Sequence, residues 1–325
     1  MKSKFALASC LVGAVLGAGA AQAAGPYPDK PVRIVVPYPA GGSTDILTRL
    51  LAKGLTKRWG QAVVVDNRGG ASGIIGTEVA ARADPDGYTL LMNGNGPHTI
   101  NVSLFEKLPY DPVRDFVPIV RGMTIPLLMV APANAPYNDV KSFIAWAKAN
   151  KSTANYCSIG PGSPSHLAGE LFKSMAALPQ LTHVPYKGSG PAIVDTIAGT
   201  CHILFDAALS SGPQVKNRKL KLLAIGTEQR DSSWPDTPTV AESGLPGFSA
   251  YTWSALFAPA GTPPAIVKKI QQDADAVLRS PELKAALVEQ GAQAGGGSSE
   301  ELARFVDTEI AKWGKVIKDG HITMN

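Results

Sequence analysis

Residues 40–45, Ala40-Gly41-Gly42-Ser43-Thr44-Asp45, carry the first chemistry in the chain. They join an apolar run, Val32-Arg33-Ile34-Val35-Val36-Pro37-Tyr38, to a helical pattern in which Ile46, Leu47, Leu50, Leu51 and Leu55 share one face. Ser43, Thr44 or Asp45 is placed to cap that helix, and the paired glycines let its first N–H groups approach a ligand. Free N–H groups and the helix dipole both favour a carboxylate or phosphate at such a turn. The same residue types also make an ordinary capped turn, common in α/β proteins. A second stretch repeats the arrangement. Asn155-Tyr156-Cys157-Ser158-Ile159 runs into Gly160-Pro161-Gly162-Ser163-Pro164-Ser165-His166, and a helix with Leu167, Leu171, Phe172 and Met175 on its apolar face follows. Two such anion seats in successive units, able to face each other, favour binding over a purely structural role.

The elements that must position them are repeated strand-then-helix units. Val63-Val64-Val65 ends at Asp66-Asn67-Arg68-Gly69-Gly70, and Ala71-Ser72-Gly73 opens another helix. Tyr88-Thr89-Leu90-Leu91-Met92 ends in the glycine-rich Asn93-Gly94-Asn95-Gly96-Pro97-His98. Strands alternating with helices predict an α/β fold with parallel sheets, whose ligand sites lie beyond the strands' carboxyl ends. At Leu127-Leu128-Met129-Val130 the chain enters a second unit. That unit continues with a helix over residues 139–150, strands near residues 183–188, 201–206 and 220–225, and a helix near residues 192–197. Residues 248–257 read as extended chain returning to the first unit. Residues 266–278, 281–289 and 299–317 read as amphipathic helices, with 291–299 a flexible connector. No internal repeat is visible.

Lys2 and Lys4, the apolar residues 5–20 and the A-x-A site Ala21-Gln22-Ala23 describe a cleaved secretory leader, so residues 1–23 are removed. Cys10 follows too little apolar sequence for lipid attachment, and no later run spans a membrane. A mature chain of about 300 residues implies two domains. The formal charge of +5 falls to +3 without Lys2 and Lys4, and no basic stripe with interleaved aromatics marks nucleic-acid binding.

Cys157 and Cys201 remain after cleavage, each in an apolar strand-like stretch. A disulfide forms if those strands are neighbours, and buried thiols are the other reading. The spacing matches neither a zinc site nor a redox CxxC, and the five histidines show no metal spacing. There is no G-x-S-x-G elbow, H-E-x-x-H, P-loop or dinucleotide fingerprint. Ser163 with His166 lacks an orienting third group, so an enzyme is not expected.

The chain resembles the solute-binding proteins of tripartite tricarboxylate transporters, the Bug/TctC family. The likeness rests on an ordered series along the mature sequence. It runs through Tyr27-Pro28-Asp29-Lys30-Pro31, the Pro-Tyr-Pro-Ala-Gly-Gly turn with Asp45, and Asp86-Gly87-Tyr88-Thr89-Leu90. Leu108-Pro109-Tyr110-Asp111-Pro112, Ser165-His166-Leu167 and Val184-Pro185-Tyr186-Lys187-Gly188 come next. Pro238-Thr239-Val240-Ala241-Glu242 and Ala258-Pro259-Ala260-Gly261-Thr262-Pro263 complete it. Cys157 and Cys201 depart from the family pattern, as does the glycine-rich loop at Asn93–Pro97.

The resemblance implies a type II periplasmic binding protein of the Venus-flytrap kind: two doubly wound α/β domains with a hinge. Domain 1 would comprise residues 24–126 and 254–325, with domain 2, residues 127–253, inserted. It implies a periplasmic monomer without a cofactor, metal or nucleic-acid partner, serving a transporter's membrane subunits; a secreted sensor is the alternative. One ligand carboxylate is assigned to Tyr38, Ala40, Gly41, Gly42, Ser43 and Asp45, with Asn93 and Asn95 in support. The second is assigned to Ser158, Gly160, Gly162, Ser163 and His166. Tyr186, Phe205 and Asp206 form the far wall, Asp206 accepting any ligand amine, and Trp253 packs near the crossing. The ligand expected is a di- or tricarboxylate, an amino-acid-like acid or an aromatic acid.

Overall fold

The structure, a computed structural model, describes residues 27–323. The leader with its cleavage site therefore lies outside the described residues. The strands are β1 (Val32–Val36), β2 (Val63–Asn67), β3 (Thr89–Gly94), β4 (Phe116–Pro132), β5 (Asn155–Ser158), β6 (Thr182–Pro185), β7 (Ile203–Ala207), β8 (Leu220–Ile225), β9 (Tyr251–Pro259) and β10 (Gln293–Gly296). The helices are α1 (Ser43–Trp59), α2 (Ile74–Ala81), α3 (Asn101–Leu104), α4 (Val140–Ala149), α5 (Pro164–Met175), α6 (Ser189–Ala198), α7 (Ala208–Lys216), α8 (Pro264–Leu278), α9 (Pro281–Glu289) and α10 (Ser299–Asp319).

In the first half β1 pairs in parallel with β2 and β3, and β9 lies antiparallel between β3 and β4. In the second, β5 pairs in parallel with β6 and β7, while β7 and β8 run antiparallel to the end of β4. The 17-residue β4 thus serves both halves: residues 116–126 pair with β9, and 127–132 with β7 and β8. Sequence reading began this strand at Leu127, because Pro118, Gly122 and Pro126 punctuate its start. Register shifts between Pro118 and Val120 and between Arg121 and Met123 accommodate that punctuation.

A second crossing runs beside the first. Gly226 donates its N–H to the Leu127 carbonyl at 2.7 Å, and Ala250 donates to the Gly226 carbonyl at 2.7 Å. A Cβ on Gly226 would stand 2.3 Å from the Ala250 oxygen, so only glycine lets these strands come so close.

Leu47, Leu51 and Leu55 of α1 pack on Val32, Ile34 and Val36, as their spacing predicted, each burial stabilising by about 2 kcal/mol. In the second half Phe143, Tyr156, Phe172, Phe205 and Phe248 fill the core with Leu127 and Met129. The connector expected at residues 291–299 instead contains β10, hydrogen-bonded to β4. Its glycines and alanine carry little strand propensity, and pairing with β4 imposes the conformation. Helix α10 opens with a Ser298/Glu301 capping box and touches both halves. Its buried Glu309 accepts from the Trp313 indole at 2.9 Å and the Trp253 indole at 3.1 Å. Trp253 is a packing residue here, as expected, edge-on to Phe305 at 5.2 Å.

The candidate carboxylate cleft

A cavity of about 340 Å³ opens between the two halves. Tyr38 and Pro39, Gly70, Ser72 and Gly73, Pro97, Asn101, Leu104 and Phe105 line it from the first half, and residues 159–164 from the second. None of its lining residues is Lys, Arg, His, Asp or Glu.

The loop after β1 bends because Gly41 adopts φ +85°, a left-handed conformation strained for other residues. The N-cap of α1 is Gly42, in extended conformation and without a side-chain cap. This corrects the expectation that Ser43, Thr44 or Asp45 caps the helix. Asp45 lies in the first turn, where its carboxylate accepts the Gly41 N–H at 2.8 Å, Arg49 Nε at 3.0 Å and Asn67 Nδ2 at 3.0 Å. Burial pushes its pKa up, but these three bonds outweigh burial and hold it below the usual carboxylate value. Asp45 is thus the brace of the loop. Asp45→Asn removes the charge facing Arg49 and should cost about 1–3 kcal/mol of stability in urea unfolding. It should weaken ligand binding less than a substitution at Gly42; the reverse order would make Asp45 a direct contact.

With Asp45 so engaged, the N–H groups of Gly42, Ser43 and Thr44 have no protein acceptor among the described residues. Ala40, Gly41 and Gly42 are exposed and Ser43 half-buried; expected as contacts, they do not line the cavity but follow Tyr38 and Pro39, which do. Tyr38 lines the cavity, and its hydroxyl makes no hydrogen bond among the described residues. Burial raises its pKa, so it stays a neutral donor.

Residues not expected to be functional complete this wall. Ala71 and Ser72 sit at φ +46° and +55°, strained for side chains of their kind, and the Ser72 carbonyl accepts Asn101 Nδ2 at 3.1 Å. The signal was available, since Gly69-Gly70-Ala71-Ser72-Gly73 follows β2 as residues 40–45 follow β1. Asn93 and Asn95, expected as contacts, do not line the cavity. Asn93 is fully buried against the Gly94 N–H, His98 and Thr77; Asn95 clasps the Trp253 N–H at 2.8 Å and the Tyr251 carbonyl at 3.0 Å.

On the second wall Gly160, Gly162 and Ser163 line the cavity, but their N–H groups are already used. Gly160 N–H donates to Ser158 Oγ at 3.2 Å, Gly162 N–H to His166 Nδ1 at 3.0 Å, and Ser163 N–H to the Gly160 carbonyl at 3.2 Å. Ser163 is the N-cap of α5, its Oγ accepting from His166 N–H at 3.2 Å. Behind the loop His166 stacks on His183 at 4.0 Å, and His183 Nε2 meets Ser158 Oγ at 2.7 Å. The histidine pair grips both ends of the loop and stays off the cavity wall. Sequence reading missed His183 because nothing in its spacing links it to His166.

Burial pushes both imidazoles down to about 4, with Lys173 adding to the fall at His166 and His166 at His183. The unfolded chain therefore takes up protons first, so stability is full above about pH 6.5 and declines as pH falls towards 4. The thermal midpoint should drop measurably from pH 7 to pH 5, and His183→Gln should flatten that slope.

The expected far wall is corrected by the packing. Tyr186 donates to Asp195 Oδ2 at 2.5 Å. Phe205 is fully buried against Phe172 and Phe248, each at 5.7 Å, and belongs to the core. Asp206, also fully buried, accepts the hydroxyls of Ser189 at 2.7 Å, Ser210 at 2.5 Å and Ser211 at 2.7 Å. It ties the starts of α6 and α7 together. Cys157 and Cys201 form a disulfide, β5 and β7 being neighbours.

Two α/β halves joined by paired crossings, with an uncharged cleft between them, have the architecture of a solute-binding receptor. Residues 47–322 match the profile of the tripartite tricarboxylate transporter family receptor, TctC, and the chain belongs to that family. It is 34% identical over 307 residues to protein BugT of Bordetella pertussis, covering 94% of each chain. Among solved structures it is similar to Rpa4515 of R. palustris with adipate, at TM-score 0.79 and 36% identity, covering 92% of this chain and all of that one. MatC of Rhodopseudomonas palustris with bound malate matches at TM-score 0.74 and 32% identity, covering 90% and 100%.

Proposed function

We propose that this receptor captures a small dicarboxylate with an apolar body and hands it to the membrane subunits of a tripartite tricarboxylate transporter. The observation that carries this reading is the set of unused N–H groups at the start of α1, shortly after Tyr38 and Pro39, which line a cavity without charged side chains. Fixed dipoles there would take up a carboxylate without a counter-ion, while Leu104, Phe105 and Ile159 accommodate the ligand's carbon chain. The adipate of one related structure has this chemistry, and the malate of another is a shorter dicarboxylate bearing a hydroxyl.

The two walls differ in readiness. The first offers free donors; the second must exchange internal hydrogen bonds for ligand contacts. The ligand would load on the first wall, and residues 127–253 would then close over it as a body, bending where β4 and Gly226 cross. Closure is favoured by the extra contacts the ligand makes in the closed state. The leader would direct export, with the mature chain starting at Ala24.

Calorimetric titration of the mature chain with adipate and with malate tests this. One-to-one binding of at least one is expected, together with a smaller radius of gyration in X-ray scattering. Binding that leaves the radius unchanged would remove the hinge, and no binding of any dicarboxylate would remove the ligand class.

A further inference from the structure

We infer that a second cavity, away from the cleft, is a binding site for a small oxyanion held by Arg121 and Arg279. The cavity, about 320 Å³, is lined by both arginines, Gly295-Gly296-Gly297, Glu301, Leu302 and Phe305. Arg121 projects from β4, its guanidinium 5.3 Å from the centre of the Phe305 ring. Its Nε is buried without a hydrogen-bond partner, and among the described residues Arg121 makes no ion pair. An anion in the cavity that Arg121 lines would supply this guanidinium with the acceptor it lacks.

Arg279 enters from the end of α8. Its Nε is held by Asp275 Oδ2 at 2.7 Å, which fixes the guanidinium at the cavity edge. Between the two arginines stands Gly296, paired with Arg121 across β10 and β4. The site of its missing Cβ is 2.7 Å from Asp275 Oδ1 and 3.5 Å from Arg279 Nη2, so any side chain here would press on that ion pair. The carboxylates nearby have donors of their own. Asp275 also accepts the Gly297 N–H at 2.9 Å, and Glu301 accepts the Ser298 N–H at 2.8 Å. Two planar forks around an open space suit an oxyanion with several acceptor oxygens. Because β10 joins β4 close to the crossing at Leu127, occupation of this cavity would brace the strand on which the halves turn.

Equilibrium dialysis of the mature protein at low ionic strength, with radiolabelled inorganic phosphate and with acetate as separate probes, decides the matter. One equivalent of at least one probe should bind, and the tighter probe distinguishes a phosphate-type from a carboxylate ligand. Arg121→Gln should weaken binding at least tenfold, and Arg279→Gln gives the same reading should Arg121→Gln fail to fold. Gly42→Val should leave this binding intact, separating it from the cleft, while Arg121→Gln should keep its affinity for the cleft dicarboxylate. No binding of either probe, or equal binding after both arginine substitutions, would overturn the assignment.

Discussion

Cys157→Ser with Cys201→Ser is expected to lower the unfolding free energy by about 4 kcal/mol. The bridge closes a loop of sequence separation 44, and removing it frees that much chain entropy in the unfolded state. The thermal midpoint should fall on the order of 10 °C, with the same fall when reductant is added to the wild-type protein. The effect should reach the cleft as well. Cys157 immediately precedes Ser158, which anchors the 159–164 loop, and Cys201 Sγ lies 3.6 Å from the Tyr186 hydroxyl that braces α6. A double variant as stable as wild type would show that neighbouring packing, not the cross-link, holds β5 to β7.

Gly42→Val is expected to weaken ligand binding at least a hundredfold, about 2.7 kcal/mol, with the fold intact. At φ −76° and ψ 166° this position accepts a β-branched residue without backbone strain. Its Cβ would meet only the Pro39 carbonyl oxygen at 3.7 Å, an ordinary contact. The branched side chain would instead cover the N–H groups of Ser43 and Thr44, from the direction a carboxylate must come. Calorimetric titration with adipate or malate, alongside circular dichroism, separates lost binding from lost structure. Unchanged affinity would remove the start of α1 from the site.

The legible parts of the sequence were those where local chemistry and final structure agree. Helix α9 spans residues 281–289, where the amphipathic pattern placed it, and α1 buries the stripe Leu47, Leu51 and Leu55. The strand-to-turn-to-helix logic found Tyr38, Gly160, Gly162 and Ser163 on the cavity wall. It stopped short wherever a polar residue's partner is distant in sequence. Asn93 and Asn95 looked like ligand contacts, yet their amides clasp Thr77, Tyr251 and Trp253; Asp206 is enclosed by serines from two helices. Polar side chains at strand ends are aimed at either ligand or neighbour by tertiary packing, which periodicity does not encode. Strand β10 shows the same limit for backbone, since Gln293-Ala294-Gly295-Gly296 becomes extended only against β4.

Thermal unfolding of the mature protein across mono-, di- and tricarboxylates, aromatic acids, amino acids and sugars tests the anion-seat claim most directly. A ligand at about 100 times its dissociation constant adds about 2.7 kcal/mol. At least one dicarboxylate is expected to raise the midpoint clearly, and that rise should vanish in Gly42→Val. A midpoint unmoved by every carboxylate, yet raised by a sugar, would contradict the claim and leave only the fold.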